Sequence, residues 1–375
     1  MAALVALGSL LVWSATRQRL LAAGTDPDAL LHKHLLNAAI GTVLAVGVTV
    51  VQPRALRAYA VPVYAAACLG LVAVLSPLGS TINGAHSWIV LPAGFQVQPS
   101  EPAKVALVVG LAAVLGGRRP DVLGERRDDA PPGSRDVVVG LALAALPMAL
   151  VMLQPDLGTT LVLVALVLGV LTVAGTSARW LVGLLAAGVV VCLAAVQLGV
   201  LSQYQVDRFA AFADPTLDPR GVGYNTGQAR IAIGSGGLFG TGLFQGTQTS
   251  GRFIPEQQTD FVFTVAGEEL GLVGAGGLVL LLGVVLWRGL RIAGRAHDPF
   301  GRLVAAGVVT WFAFQSFVNI GMTLGITPVT GLPLPFVSYG GSAMFANLAA
   351  VGLLLNVDRR ARTPVRADRG VRARP

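Results

Sequence analysis

Apolar residues run along this chain in long, nearly unbroken stretches separated by short polar ones. Ten such segments can be traced, near 2–15, 35–51, 58–76, 103–116, 137–153, 157–175, 180–200, 261–287, 303–326 and 341–357. The longest reach the roughly 20 residues a helix needs to cross the hydrocarbon core of a bilayer. Backbone polar groups find no water there, so each run is predicted to close its hydrogen bonds within itself as a helix. The pattern predicts an all-α polytopic membrane protein with about ten transmembrane helices. The first segment is short, with no basic stretch ahead of it and no clear small-residue cleavage site, so a cleaved signal is not expected.

Composition agrees. Of 375 residues, 54% are hydrophobic and 12% charged, against about 25% charged in soluble domains. A water-soluble globular protein and a disordered chain are both excluded. Cys68 and Cys192 both lie inside apolar runs, which gives packing residues and neither a disulfide framework nor a cysteine zinc site.

Net charge is +8, and its distribution carries more information than its sum. With both termini cytoplasmic, the inner side receives nineteen of the 27 basic residues, including five in 117–136, four in 288–302 and seven in the tail. The reverse topology would put all nineteen outside, against the rule that basic flanks stay in the cytoplasm. The tail, 358–375, reads as a basic cytoplasmic flank resting on anionic membrane lipids, not as a nucleic-acid arm. The outer side then holds 77–102, 154–156, 327–340 and one long extracytoplasmic loop, 201–260. A loop of that length without strong periodicity is expected to be functional, so activity is expected to face outward.

Candidate chemistry clusters in those outer segments. Gln98-Pro99-Ser100-Glu101 and Gln154-Pro155-Asp156 each put Gln-Pro and then an acid at the mouth of a span, where free N–H groups attract anions. Glu101 and Asp156 could satisfy those donors themselves. Lys104 lies one turn inside a span, where a cation costs up to about 3 kcal/mol unless paired or hydrated; Glu101 at i−3 is a natural partner, and an arriving phosphate is another. The run Arg252-Phe253-Ile254-Pro255-Glu256-Gln257-Gln258-Thr259-Asp260 closes the long loop. Thr259 or Asp260 could cap the following helix; alternatively Asp260, partly desolvated at the boundary, has the raised pKa of a general base. Glu268 and Glu269 follow inside the span, and at least one must face the bundle interior or a water-filled cavity. Gly234–Gly242 has no Lys-Ser/Thr ending and follows no strand, so it is neither a P-loop nor a dinucleotide turn; its glycines fit tight turns or re-entrant backbone. Thr330–Ser342, with Pro333 and Pro335, is expected to be a rigid outer turn.

Several of these segments together resemble the SEDS family of RodA, FtsW and SpoVE. They are Gly84-Ala85-His86-Ser87-Trp88, Gln98-Pro99-Ser100-Glu101 with Lys104, Gln154-Pro155-Asp156-Leu157-Gly158-Thr159, Pro255-Glu256 with Thr259-Asp260-Phe261, Gly267-Glu268-Glu269-Leu270-Gly271, and Pro333-Leu334-Pro335-Phe336 with Ser338-Tyr339-Gly340-Gly341. The opening Leu11–Thr16 and the direct run from Gly84 to Trp88 look more like RodA than FtsW. The resemblance implies a single transmembrane domain over 1–375 and an inverting peptidoglycan glycosyltransferase that polymerises lipid II outside the cytoplasmic membrane of a bacterium, for cell elongation or division. It implies a class B penicillin-binding protein as partner, and Asp260 as catalytic residue. Lys104, Glu101, Arg208, Arg230, Arg252, Glu268, Glu269 and Ser338 are the candidate substrate-binding residues. A divalent cation, Mg2+ or Mn2+, could assist the leaving pyrophosphate; no metal site is read from spacing, and no organic cofactor is expected. Two departures from the family pattern stand out: Pro102 replaces a bulky apolar residue and could bend its helix, and Gln258 stands where many members have histidine. A lipid II flippase and a non-catalytic scaffold for the penicillin-binding protein are the alternative readings.

Overall fold

A computed structural model describes residues 1–82, 85–90, 96–117, 119–120, 126–127, 131–199, 203–213, 221–251 and 253–362. Each of the ten apolar segments is a long helix: α1 (Ala2–Ala22), α2 (Ala29–Val50), α4 (Ala60–Leu75), α5 (Ser100–Leu115), α6 (Ser134–Met152), α7 (Leu157–Val173), α8 (Ala178–Gln197), α12 (Val262–Arg295), α13 (Pro299–Leu324) and α14 (Gly341–Ala361). The short α3 (Pro53–Ala58) precedes α4, and α9 (Gln203–Ala213), α10 (Val222–Ser235) and α11 (Thr247–Gly251) lie between α8 and α12. α2, α6, α8, α12, α13 and α14 are long and apolar enough to span a membrane on length and composition alone, while α4 and α7 are shorter apolar helices. The protein is a polytopic helical membrane protein. α1 is longer than its apolar segment, because it continues through Arg17 and Arg19 to Ala22.

Two small additions depart from an all-helical reading. Within segment 77–102 the described residues form an antiparallel sheet of β1 (Ser80–Ile82), β2 (Ala85–Val90) and β3 (Gln96–Val97). A two-residue ladder pairs β4 (Arg119–Pro120) with β5 (Arg126–Arg127).

The connection over 201–260 carries helical structure of its own: α9, α10 and α11 lie among its described residues. α10 contains Gly223, Gly227 and Gly234, and glycine lowers helix propensity by about 1 kcal/mol each, so the sequence signal is weak. Tertiary burial compensates: Ala229 and Ala232 pack with Ile254, Phe261, Met322 and Val329 in a small core of their own.

α13 is the centre of the bundle and packs on α5, α7, α12 and α14. Pro299 opens it at a position where its missing N–H is harmless. Gly325 closes it in the left-handed conformation, φ 71°. α12 is interrupted at Gly271, φ 67° and ψ −166°. There the glycine-rich segment inserts its own backbone. Thr241 and Gly242 N–H donate to the carbonyls of Glu268 and Glu269, and Leu272 and Val273 N–H donate to the carbonyls of Gly237 and Leu238. A Cβ at Gly236 or Gly240 would collide with the carbonyls of Gly267 and Glu269. Re-entrant backbone is therefore what these glycines make possible, as broken helices at membrane depth require substitute hydrogen bonds.

Candidate active site

Asp260 sits in the turn that leads into α12. Its own N–H and that of Thr259 donate to the carbonyl of Glu256 (3.1 and 3.2 Å), and Thr259 Oγ1 donates to the same oxygen (3.0 Å). Glu256 adopts φ 52° to make this turn, a strained conformation for a side-chain-bearing residue. Neither Thr259 nor Asp260 caps α12: Phe261 holds the N-cap position, with no side-chain cap bond. The capping expectation is thereby corrected: α12 begins one residue beyond Asp260, and Thr259 Oγ1 is used within the Glu256 turn.

The Asp260 carboxylate is half-buried. Burial, then the nearby Glu256 carboxylate, push its pKa up to about 6, against the opposing pull of the Arg208 guanidinium and a hydrogen bond from Thr259; Asp156 adds a weaker upward push. Arg208 comes from α9 and donates Nη1 to the carbonyl of Thr330 (3.1 Å). Gly331 is the common floor: a Cβ there would lie 3.4 Å from Asp260 Oδ2 and 3.8 Å from Arg208 Nη2. A basic group from α9 and an acidic group from the turn before α12 thus face one small space.

The 330–333 turn is held from α13. Asn319 Nδ2 donates to the carbonyls of both Asp260 (2.8 Å) and Leu332 (2.7 Å). One helical turn earlier, Gln315 Nε2 donates to the Pro333 carbonyl (2.7 Å), while its Oε1 accepts from Trp311 Nε1 (2.7 Å) and Lys104 Nζ (3.0 Å). Lys104 also pairs with Glu101 at 2.8 Å and stacks over the Trp311 ring. Trp311, Gln315 and Asn319 recur every four residues, so they share one helix face. From the other side, Asp156 caps α7 through Thr159 N–H (2.9 Å) and accepts from Gln98 Nε2 at 3.4 Å.

The predicted site residues therefore separate into groups. Asp260 and Arg208 share the open space. Lys104 and Glu101 are fully enclosed and are joined to the 330–333 turn through Gln315. Pro102 falls in the first turn of α5 and leaves the helix intact. Arg230 is exposed and binds the last carbonyls of α13, Leu324 and Gly325 (3.1 and 3.3 Å); no described contact brings it to Asp260. Glu268 accepts from the N–H groups of Gln248 and Thr249 and from Thr249 Oγ1 (2.7–2.9 Å), anchoring α11. Glu269 turns to α1 and accepts from Ser14 Oγ (2.6 Å). Ser338 closes its own turn by accepting from Leu334 N–H (2.8 Å). Gln258 accepts from Tyr339 N–H and donates to Glu256. Arg252 lies outside the described residues, as does most of the basic tail. Among the described residues no three metal-ligating side chains converge.

Sequence reasoning missed Asn319, Gln315 and Trp311. Their signal was available: polar side chains spaced by four inside an apolar span are expensive unless they bind something.

Comparison with known proteins agrees with this architecture. The family described as cell cycle protein, FtsW/RodA/SpoVE, matches residues 1–363. The chain belongs to this family. It is 37% identical over 355 residues to the peptidoglycan glycosyltransferase MrdB of Escherichia coli, covering 95% of this chain and 90% of that one. It is 41% identical over 293 residues to stage V sporulation protein E of Bacillus subtilis, covering 78% and 76%. Among solved structures, a chain of a peptidoglycan synthase complex, studied for its coordination of polymerization and crosslinking, superposes with TM-score 0.78 at 35% identity over 97% and 96% of the two chains. The rod shape determining protein RodA of Thermus thermophilus gives 0.68 at 33% identity over 97% and 95%.

Proposed function

We propose that this FtsW/RodA/SpoVE-family protein is a peptidoglycan glycosyltransferase that polymerises lipid II at the outer face of the cytoplasmic membrane. The observation that carries the reading is the half-buried Asp260 carboxylate, tuned to about 6 beside the Arg208 guanidinium. A general base works best with a pKa near the operating pH. Relatives named as peptidoglycan glycosyltransferases support the reaction class. A similar chain within a peptidoglycan synthase complex supports a class B penicillin-binding protein as partner. The excess of basic residues at one end supports an outward-facing Asp260.

In the proposed reaction, Asp260 takes the proton of the acceptor's 4-hydroxyl as that oxygen attacks the donor's anomeric carbon. The new glycosidic C–O bond forms as the bond to pyrophosphate breaks, with inversion and no covalent intermediate. Arg208 lies where developing negative charge on the leaving pyrophosphate is stabilised. The pair Lys104–Glu101 acts indirectly, by holding Gln315 and hence the turn that floors the site.

The test is lipid II polymerisation by purified protein with its partner, the partner's transpeptidase being blocked by a β-lactam. Asp260→Asn is expected to yield no glycan strands while remaining folded and in complex. Undiminished polymer would remove Asp260 from the chemistry. No polymer from either protein, with lipid II translocation intact in liposomes, would favour the flippase. Orientation is tested separately: a cysteine in 117–135 resists an impermeant thiol reagent in whole cells, and one in 210–225 reacts.

A further inference from the structure

A second cavity lies at the opposite end of the bundle from Asp260. It encloses about 360 Å³ between α3, the α12–α13 connection and the carboxyl end of α14, within the range of about 300–1,000 Å³ typical of ligand sites. Helix direction fixes its separation from the candidate active site: Asp260 is at the start of α12, this cavity at its end.

Its polar lining is basic. Arg54, Arg57, Arg360 and His297 border it, and Asp298 is the one acidic residue there. That carboxylate is already taken by Arg57 Nη2 at 2.6 Å, and Arg360 Nη2 donates to the Val51 carbonyl at 2.6 Å. Arg54 is exposed and makes no hydrogen bond or ion pair among the described residues. The first turn of α13, at Phe300 and Gly301, borders the same space without a side-chain cap, which leaves N–H donors for an anion. The remaining walls are apolar: Leu56, Phe300, Val304, Leu353 and Val357.

Two exposed aromatics stand on the elements that lead to this cavity. Tyr59 follows α3, and Trp287 lies two turns before the end of α12 with Arg291 stacked on its ring at 4.1 Å. Tyr and Trp concentrate at headgroup level. A basic mouth over apolar walls suits an anionic phosphate that carries hydrocarbon.

We infer that this cavity binds the phosphate of an anionic phospholipid headgroup, with Arg54 and Arg57 on the phosphate and the first acyl carbons against Phe300, Val304 and Leu353. Guanidinium groups are the side chains best matched to phosphate oxygens. Nothing in this site depends on the chemistry proposed at Asp260.

Thermal unfolding of the full-length protein in detergent tests this, with dioctanoyl phosphatidylglycerol, dioctanoylglycerol and inorganic phosphate as probes. The phospholipid is expected to give a saturable rise in melting temperature, and the other two little or none. In Arg54→Gln/Arg57→Gln the midpoint concentration rises about tenfold, as for the loss of one charge-assisted hydrogen bond. The charge-matched control Arg135→Gln/Arg179→Gln, from exposed positions at the same end, keeps the wild-type midpoint. If the double variant does not fold, Arg54→Gln alone serves, because Arg54 makes no hydrogen bond or ion pair among the described residues. Equal weakening in the control pair would overturn the site in favour of diffuse attraction. A full, Arg54-dependent response to inorganic phosphate would overturn the lipid and assign a soluble phosphate. A response to dioctanoylglycerol equal to that of the phospholipid would overturn the phosphate contact.

Discussion

The side-chain amide of Asn319 joins the main chain of Asp260 to that of Leu332, at 2.8 and 2.7 Å, and so fixes the acid against the turn that faces it. Neither bond involves the carboxylate. Asn319 is therefore expected to position the proposed base without touching its proton, so that the consequences for activity and stability can be separated.

Asn319→Leu leaves two carbonyls without their donor. Each buried unsatisfied group costs about 1–3 kcal/mol, and a displaced catalytic group costs up to about 100-fold in rate. The expected outcome is a protein that melts lower and polymerises lipid II far more slowly, with its dependence on pH unshifted. Melting curves and a pH–rate series check this; a displaced pH limb would mean that Asn319 tunes the carboxyl directly.

Asp260 should give polymerisation a rising limb with pH, centred near about 6, because only the carboxylate accepts a proton. The same shift has a sign for stability. A carboxyl whose folded pKa is raised holds its proton more tightly folded than unfolded, so stability falls as pH rises from about 4 to about 6. Asp260→Asn is therefore expected to melt above wild type at neutral pH, the gap closing below about pH 4. Melting temperatures across that range decide it.

Lys104 and Glu101 are an enclosed pair. Removing one partner strands a buried charge and costs about 3–5 kcal/mol, whereas removing both is often tolerated. Lys104→Met should be strongly destabilised and Glu101→Gln/Lys104→Met should recover most of that loss. Polymerisation is expected to recover with it. A double variant that is stable yet inactive would show that Lys104 contributes charge to the reaction.

Glu268 holds the start of α11 by three hydrogen bonds. Glu268→Ala should lower stability by about 1–3 kcal/mol, and its effect on polymerisation should disappear at a temperature where the variant is fully folded. Activity that stays low in the folded variant would return Glu268 to substrate binding.

Gly271→Ala places a side chain at φ 67° and against the Leu238 carbonyl. The strain costs about 1–3 kcal/mol before the collision is counted. Poor accumulation in membranes and a lowered melting temperature are expected, read by detergent-solubilised yield.

The sequence by itself determined the ten long apolar helices and their order, because hydrocarbon leaves a spanning backbone no other way to pair its donors. It also offered Asp260 as either a helix cap or a base, and the resemblance to the SEDS family favoured the base. Long-range choices were different. Arg208, Arg230 and Arg252 were equivalent on the page; only folding set Arg208 beside Gly331 and Asp260 and sent Arg230 to the end of α13. Glu268 and Glu269 looked like a substrate path, yet each is held by partners more than a dozen residues away. The α10 helix and the Gly271 break were hidden too, because glycine-rich backbone carries little local preference and takes its conformation from what packs against it. Local periodicity reports the solvent a segment must face; which polar groups meet depends on packing between segments distant in the chain, which no local pattern encodes.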